Sequence, residues 1–269
     1  MGISRHIPPP APLRVYTVPG AQPAAPVAVA RDVGVIIVAA GQSTRTGGGE
    51  LKQFRWLGGK PVLLHSIHTF LARADVCAVV CVLPRPYVAD PPPWLLQNDL
   101  NRLLLSLGGE ERGDSVRNGL EDLDGDARIV LVHDAARPLV TDATIDRVIA
   151  AARNGTGAVA ALPVVDTLKE ADTAGRVVRT VARAQLWRAQ TPQGFPRALL
   201  EQAYREAAAA GFSASDDAAL VERLGVPVML VRGDERALKV TEADDFRCAE
   251  LFIARNEGHP GGGQPGTDH

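Results

Sequence analysis

Short apolar runs alternate with amphipathic stretches along most of the chain, and this alternation is typical of a parallel sheet flanked by helices. Short runs that are apolar throughout predict strands buried on both faces. The predicted strands are Gly34–Ala40, Cys77–Leu83, Leu103–Leu107, Ala127–Val132, Gly157–Val164, Leu186–Phe195 and Val226–Val231. The predicted helices are Pro61–Ala74, Asp114–Leu123, Thr141–Arg153, Arg197–Ala209, Ser215–Leu224 and a last helix from Thr241 or Glu242 to about Asn256. The sequence therefore predicts an α/β fold.

One stretch interrupts the alternation. Residues 166–183, DTLKEADTAGRVVRTVAR, predict two strands joined by a turn near Thr173–Gly175. A two-stranded hairpin alone in water is marginally stable. We therefore expect the parent domain or a second subunit to pack on this arm, which spans about residues 165–184.

The two ends of the chain have a different composition. Residues 1–32 are rich in Ala, Pro and Val, and proline at this density is incompatible with a helix or a central strand. Residues 256–269, NEGHPGGGQPGTDH, form a second low-complexity segment. We expect a disordered or extended tail at 1–32, one domain at 33–255 and a flexible tail at 256–269.

Composition and charge narrow the class of protein. A chain of 269 residues with 46% hydrophobic content can bury a large core in one domain. A formal charge of -2 argues against a dedicated nucleic-acid binder, which carries a basic excess. The sequence contains no run of about 18 apolar residues, so it predicts no membrane span. The N-terminus does not resemble a secretory signal. The expected location is the cytoplasm.

The three cysteines fit a reducing compartment. Cys77 and Cys81 match no usual zinc spacing, and a regular strand places residues four apart on the same face. We expect both to be packing residues, and the same role is expected for Cys248 on the last helix.

Glycines and two cations follow the first predicted strand. The loop GQSTRTGGGELKQ at 41–53 can turn sharply and point several N–H groups at phosphates. Arg45 and Lys52 lie seven residues apart with Glu50 as the one acid of the loop, which favours a polyphosphate ligand. The loop has neither the GxxxxGK[ST] nor the GxGxxG pattern. A plain βα turn with solvated cations remains an alternative.

Candidate residues also follow the later strands, where ligands of open α/β sheets bind. A glycine pair ending at Gly109 lets the backbone approach a planar base closely, and Ser115 offers a hydroxyl at the start of a helix. A capped helix after a tight turn explains both residues equally well. Asp134 with Arg137 suits a divalent cation or a substrate hydroxyl. His133 is compatible with a general base and with a buried structural histidine.

Two further groups lie near the predicted arm and the last helix. Asp166, Thr167 and Lys169 follow the fifth strand, and Lys239 precedes the final helix. A lysine ahead of a helix N-terminus adds a cation to a phosphate site, although solvated surface lysines are common.

Taken together, these motifs resemble a known family. AAG, Arg45, the Lys-Gln pair at 52–53, GGEERGDSV, LVHDAARP, DTLK, LWRAQTPQGF, SDDAALVE and LKVT resemble the 2-C-methyl-D-erythritol 4-phosphate cytidylyltransferases over residues 33–255. The resemblance implies a Rossmann-like nucleotidyltransferase fold with a mostly parallel twisted sheet and a protruding β-hairpin arm. It also implies Mg²⁺-dependent transfer of CMP from CTP to a sugar-alcohol phosphate, and a homodimer whose arms are exchanged.

The resemblance assigns roles to particular residues. Arg45 and Lys52 match the family's transition-state cations, whereas Arg183 and Lys239 match the groups that position the sugar phosphate. Thr167 and Arg183 would act in the partner subunit's site. The residues that match the cytidine pocket are Ala39, Ala40, Gly41, Gly109 and Ser115. Asp134 and Arg137 match the residues on the sugar-phosphate side, and Asp134 matches the metal ligand. Ala135 and Thr191 complete the set of expected substrate-binding residues.

Three positions depart from the family pattern. Leu51 replaces a proline that helps to aim Lys52, Ser43 replaces a glycine after AAG, and Glu110 replaces an aspartate after the glycine pair. None of these changes removes a charged catalytic group.

The expected chemistry needs no protein nucleophile. A phosphate monoester has a second pKa of about 6 and is mostly dianionic at neutral pH, so its oxygen attacks the α-phosphorus of CTP unaided. Arginine, lysine and Mg²⁺ then stabilise the developing charge. The alternatives are a cytidylyltransferase for ribitol 5-phosphate and a non-catalytic nucleotide-binding protein. An NAD-dependent oxidoreductase is disfavoured because GxGxxG is absent.

Overall fold

The computed structural model describes residues 30–41, 51–123 and 125–257. Its strands are β1 Val33–Val38, β2 Trp56–Leu57, β3 Lys60–Pro61, β4 Val76–Leu83, β5 Leu103–Leu107, β6 Ile129–Asp134, β7 Gly157–Pro163, β8 Leu168–Ala171, β9 Val177–Val181, β10 Trp187–Pro196 and β11 Val228–Arg232. Its helices are α1 Val62–Leu71, α2 Arg85–Ala89, α3 Pro93–Leu96, α4 Arg112–Glu121, α5 Asp142–Arg153, α6 Arg197–Ala209, α7 Asp217–Arg223 and α8 Ala243–Glu257.

Seven strands form one twisted sheet in the order β11-β7-β10-β6-β1-β4-β5. The pairs β11–β7, β6–β1, β1–β4 and β4–β5 are parallel, whereas β10 is antiparallel to both of its neighbours, β6 and β7. The carboxyl ends of β1, β5 and β6 therefore lie at one edge of the sheet. This confirms the predicted α/β fold with a mostly parallel sheet.

Helices cover both faces of the sheet because its central strands are apolar on both sides. On one face, Phe70 of α1 and Val148 of α5 pack with Ile37. On the other, α4, α6 and α7 pack over Ile36. Gly119 lets α4 approach closely, since a Cβ there would lie 2.7 Å from Ile36 Cγ2. The two cores hold the carboxyl-terminal edge of the sheet in a fixed geometry.

The prediction that Cys77 and Cys81 share a face is wrong. The register between β1 and β4 shifts between Val33 and Gly34, so that Cys77 is an extra residue on β4. Cys77 packs against the core under α4, and Cys81 lies fully buried in the core under α1. The prediction that Cys248 is a packing residue is wrong, because Cys248 is exposed on α8. A bulge interrupts the period of two on which the prediction depended.

Most predicted elements are present within one to three residues of their expected ends, and α6 has the predicted bounds. Helix α4 begins at Arg112, earlier than predicted, because Glu111 and Asp114 form a capping box at its start. The β2–β3 hairpin was not predicted, since its strands have two residues each. In the described part of the chain no helix has the length and apolarity needed to cross a membrane.

The predicted arm is a two-stranded hairpin formed by β8 and β9. Asp172 organises its turn, because its carboxylate accepts hydrogen bonds from the backbone N–H groups of Ala174 and Arg176. Val177 and Val178 are 62% and 61% exposed, so the parent domain leaves this apolar surface uncovered.

Candidate active site

A cavity of about 730 Å³ opens at the carboxyl ends of β1, β5 and β6. Ligands of open α/β sheets bind at this edge. The predicted site residues that line it are Ala39, Ala40, Gly41, Lys52, Gly109, Ser115, Asp134, Ala135 and Lys239. Residues from five separate parts of the sequence thus meet in one cavity.

One wall of the cavity consists mainly of backbone and small side chains. A Cβ on Gly108 would lie 2.2 Å from the Cβ of Ala40, so this approach of two strand exits requires glycine. The N–H of Gly109 donates a hydrogen bond to Ser115 Oγ at 3.1 Å, which fixes the loop on the start of α4. Such a narrow wall suits the flat face of a nucleobase.

Gln53 holds the exit of β1 in place. Its Nε2 donates hydrogen bonds to the carbonyl oxygens of Ala39 at 2.7 Å and Gly41 at 3.2 Å, and its side chain is buried. The adjacent residue, Lys52, lines the cavity. The Lys-Gln pair therefore combines a cation that faces the cavity with a side chain that shapes the cavity wall.

Asp134 is the charged centre of the opposite wall. Lys239 Nζ donates to its Oδ2 at 2.8 Å, and Arg112 Nε lies 3.5 Å from its Oδ1. Burial acts to raise the pKa of Asp134, but the charges of Lys239 and Arg112 outweigh burial and lower it to about 2. The carboxylate is therefore ionised at neutral pH and held between two cations.

Arg112 connects this centre to the interior. Its guanidinium forms a 2.8 Å ion pair with Asp217, whose side chain is fully buried, and Tyr204 donates a 2.6 Å hydrogen bond to the other oxygen of Asp217. Burial and the Asp217 carboxylate raise the pKa of Tyr204 well above its ordinary value. Sequence reasoning assigned Arg112 no role, although it lies within the GGEERGDSV motif.

His133 is a structural group in this arrangement. Its Nε2 lies 3.1 Å from the carbonyl oxygen of Arg137, and its Nδ1 lies 3.1 Å from Thr191 Oγ1. Burial lowers its pKa to about 4, so the ring is neutral, donating from Nε2 and accepting from the Thr191 hydroxyl. Thr191 Oγ1 in turn accepts the N–H of Asp134 at 3.0 Å. Thr191 thus fixes the backbone of Asp134 from behind the cavity.

Arg137 lies beside the cavity. Its guanidinium donates to the carbonyl oxygens of Ala237 at 2.8 Å and Ala189 at 3.3 Å, and burial lowers its pKa. These bonds tie the β6–α5 loop to β10 and to the short 3₁₀ turn Glu235–Ala237 that precedes Lys239. Direct contact of Arg137 with substrate stays a prediction.

The remaining predicted residues lie elsewhere. Thr167 and Arg183 flank the two strands of the arm and are absent from the cavity wall of their own chain. Their action in a partner's site stays a prediction. Arg45 lies outside the described residues.

The cavity suits a metal ion that is bound mostly by its substrate. Among the described residues no cluster of three or more His, Cys, Asp or Glu side chains could hold a metal ion. Asp134 supplies one carboxylate in the cavity that Lys52 and Lys239 also line, and Mg²⁺ is commonly bound by one or two carboxylates together with substrate phosphates. The residues present therefore fit such an ion.

A glycine-lined wall together with an aspartate and two lysines, at the carboxyl edge of this sheet, is an arrangement typical of the nucleotidyltransferase class. The sequence profile of the family described as 2-C-methyl-D-erythritol 4-phosphate cytidylyltransferase matches residues 33–255. The chain belongs to this family. It is an enzyme that transfers CMP from CTP to 2-C-methyl-D-erythritol 4-phosphate in isoprenoid precursor synthesis.

Individual relatives agree with the family match. Proteins of this name from Frankia casuarinae and Syntrophus aciditrophicus are 44% identical over 231 residues and 38% identical over 226 residues. The alignments cover 86% and 83% of this chain, and 84% and 96% of the relatives. The crystal structure of the protein of this name from Thermus thermophilus matches with a TM-score of 0.70 at 37% identity, over 83% of this chain and 99% of that chain.

Proposed function

We propose that the cavity between the glycine wall and Asp134 is where CMP is transferred from CTP to 2-C-methyl-D-erythritol 4-phosphate. The observation that carries this proposal is that Lys239 and Arg112 hold the ionised carboxylate of Asp134 in a cavity that Lys52 also lines, next to a wall shaped for a base. Lysine and arginine side chains in one cavity suit two phosphorylated substrates that must approach each other.

The glycine wall binds the cytosine. Backbone groups of residues 39–41 and Gly109 offer donors and acceptors whose positions are fixed by Gln53 and Ser115. Recognition through a fixed backbone is compatible with Glu110 in place of the family's aspartate. The triphosphate then extends towards Lys52.

The acceptor phosphate is the nucleophile. Its oxygen forms a bond to the α-phosphorus of CTP, the bond from that phosphorus to the bridging oxygen breaks, and pyrophosphate leaves with the electron pair. No proton has to be removed from a dianionic phosphate monoester, which agrees with the structural role of His133. Lys52 stabilises negative charge on the α-phosphate, and Lys239 holds the acceptor phosphate.

We propose Mg²⁺ as the metal, bound by Asp134 and by phosphate oxygens of CTP. When bound, it neutralises phosphate charge and fixes the triphosphate conformation. The Asp134 carboxylate is at present shared by Lys239 and Arg112. Asp134 would hold the metal ion through its carboxylate; Lys239 would then turn from Asp134 to the acceptor phosphate, while Arg112 retains Asp217 as its partner.

The proposal includes a homodimer in which Thr167 and Arg183 of each arm complete the partner's site. The uncovered valines of β9 support it, because an exposed hairpin with adjacent apolar side chains is a surface suited to a second subunit. We also propose a cytoplasmic location. All three cysteines are free, as expected in a reducing compartment.

The test is pyrophosphate release by purified protein with Mg²⁺ and CTP, comparing methylerythritol 4-phosphate with ribitol 5-phosphate as acceptors. ATP, GTP and UTP replace CTP in control reactions. Release with CTP and methylerythritol 4-phosphate alone is the expected result. Preference for ribitol 5-phosphate would identify that compound as the acceptor and assign the enzyme to another pathway. CTP binding without turnover would show that the protein binds the nucleotide without catalysing the reaction.

Removal of Lys52 tests the mechanism. We expect Lys52→Ala to lower kcat about 10² to 10³-fold with the fold intact, since one preorganised cation contributes a few kcal/mol to a charged transition state. Circular dichroism and thermal melting verify folding. Activity within a few-fold of wild type would contradict the assigned role.

A further inference from the structure

The segment that carries Lys239 is held at successive residues. Lys239 itself reaches Asp134, and the next residue, Val240, donates its N–H to the carbonyl oxygen of Ala136 at 2.7 Å. The side chain of Val240 is 1% exposed and packs against Phe246 of α8. The position of the Lys239 ammonium therefore depends on how this segment meets the first turn of α8.

Asp245 fixes the following residues of that segment. One of its oxygens, Oδ2, accepts the N–H of Thr241 at 2.8 Å, the hydroxyl of Thr241 at 2.6 Å and the N–H of Glu242 at 2.8 Å. Burial acts to raise the pKa of Asp245, but these hydrogen bonds outweigh it and lower the pKa below its ordinary value. Three donors thus converge on one ionised carboxylate at the start of α8.

The same helical turn also contacts the segment that carries Lys52. The N–H of Arg55 donates to the carbonyl oxygen of Lys52 at 3.3 Å, and the Arg55 guanidinium lies over the Phe246 ring, 4.2 Å from its centroid. The Lys52 ammonium is among the charges that favour the ionised form of Asp245. Two cavity lysines 187 positions apart in sequence, at 52 and 239, thus meet one turn of α8.

We propose that Asp245 is a positioning residue for Lys239, and that the first turn of α8, whose Phe246 also contacts Arg55 beside Lys52, sets the distance between the two substrate phosphates. This inference rests on the roles proposed above for Lys52 and Lys239. Both lysines have long, flexible side chains, and effective catalysis requires their heads to be held to within about an ångström. Asp245 touches no substrate and acts through the segments that it fixes.

The neighbouring Asp244 separates this role from ordinary helix capping. Asp244 lies in the same turn and has the same charge, so both residues interact similarly with the helix dipole. Its side chain is 87% exposed and pairs with Arg247 at 3.0 Å. Substitution of Asp244 therefore removes an equivalent charge without releasing the segment that follows Lys239.

The experiment compares Asp245→Ala, Asp245→Asn, Asp244→Ala and Lys239→Ala in the full-length protein with Mg²⁺, varying CTP and methylerythritol 4-phosphate separately. We expect Asp245→Ala to lower kcat/KM for the acceptor about ten- to hundredfold, with a raised acceptor KM, because the Lys239 segment is released. Asp245→Asn keeps an accepting oxygen and recovers part of the loss. Asp244→Ala stays within about twofold of wild type.

A second pair of variants tests the same contact from its other side. Thr241→Val removes the hydroxyl donor to Asp245 while it keeps the shape of the side chain, and Thr241→Ser restores the hydroxyl. We expect a raised acceptor KM for the valine variant and near wild-type values for the serine variant.

The outcomes distinguish the inference from the function on which it rests. If Asp245 only caps α8, Asp245→Ala reduces thermal stability and the active fraction but leaves both KM values unchanged, which overturns the positioning role. Unchanged acceptor kinetics for Lys239→Ala overturn the assigned role of Lys239 itself. A loss for Lys239→Ala without one for Asp245→Ala overturns the positioning role alone.

Discussion

Replacement of Arg112 by methionine leaves the buried carboxylate of Asp217 without its cation. The Asp217 side chain is fully buried, and the guanidinium that pairs with it at 2.8 Å is 30% exposed. Removing one partner of a buried ion pair costs about 3–5 kcal/mol, and the partial exposure of Arg112 reduces this to about 2–3 kcal/mol. Tyr204 continues to donate its hydroxyl to Asp217, so the remaining cost is that of an uncompensated charge.

Urea denaturation and thermal melting at pH 7 measure this loss. At about 2–4 °C per kcal/mol for a domain of this size, Arg112→Met lowers the melting temperature by about 4–12 °C. Arg117→Met is the control on the same helix, because Arg117 forms a partly exposed i,i+3 pair with Asp114; we expect a change within about 0.5 kcal/mol. An unchanged m-value indicates that both variants unfold from comparable native states.

The double variant decides whether the charge of Asp217 is the cause. Arg112→Met with Asp217→Asn removes both charges and keeps an oxygen for the Tyr204 hydroxyl. We expect it to recover most of the stability lost in Arg112→Met, since a neutral buried pair carries no desolvated charge. A double variant as unstable as Arg112→Met, or an Arg112→Met variant no less stable than Arg117→Met, would refute this reasoning.

Two further predictions follow from the backbone and from a buried histidine. Gly108→Ala places a Cβ 2.2 Å from the Cβ of Ala40, so we expect it to lower the free energy of unfolding by about 1–3 kcal/mol and to weaken CTP binding. Gly113→Ala is the control, because its Cβ meets Tyr204 only at 4.0 Å; we expect it to be neutral or stabilising by about 0.5–1 kcal/mol. Thermal melts and CTP titration compare the two variants. Because the pKa of His133 is about 4 in the folded protein and 6.5 in the reference state, the unfolded chain binds the extra proton between these values. Stability should therefore fall as pH decreases from about 6.5 to 4, by up to about 1.4 kcal/mol per pH unit, and His133→Gln should reduce this slope; an identical slope in the variant would exclude His133 as its source.

The sequence was sufficient for the elements whose signal is local. Uninterrupted apolar runs such as that of β1, and the periodic helix α6 with its proline at the start, required only backbone preferences and burial pattern. Gly109, Ser115 and Asp134 were found because they follow strands that share one edge of the sheet, whereas Ala39, Ala40 and Ala135 were assigned through the family resemblance. In each case the physical cause acts within a few residues, or is fixed by the parallel topology.

Features that depend on contacts between distant residues were not found. The bulge that separates the faces of Cys77 and Cys81 arises in the pairing of β4 with β1. Arg112 acquires its role from Asp217, which is 105 positions later in the chain (217 minus 112). The antiparallel direction of β10 could have been predicted from the sequence. A strand parallel to β7 requires a crossover connection, and only a hairpin lies between β7 and β10 in the chain.

The direction of β10 also determines where the arm is inserted. Trp187 pairs with Pro163, and the N–H of Val164 donates to the carbonyl oxygen of Leu186 at 3.0 Å, so the chain leaves and re-enters the sheet at adjacent points. Doubling the length of a closed flexible loop costs only about 0.6 kcal/mol. Lengthening, shortening or exchanging the hairpin therefore leaves the register of the seven strands unchanged. The hairpin, and with it the proposed subunit contact and the proposed action of Thr167 and Arg183, can therefore change in evolution as a separate module while the seven-stranded sheet and its cavity stay constant.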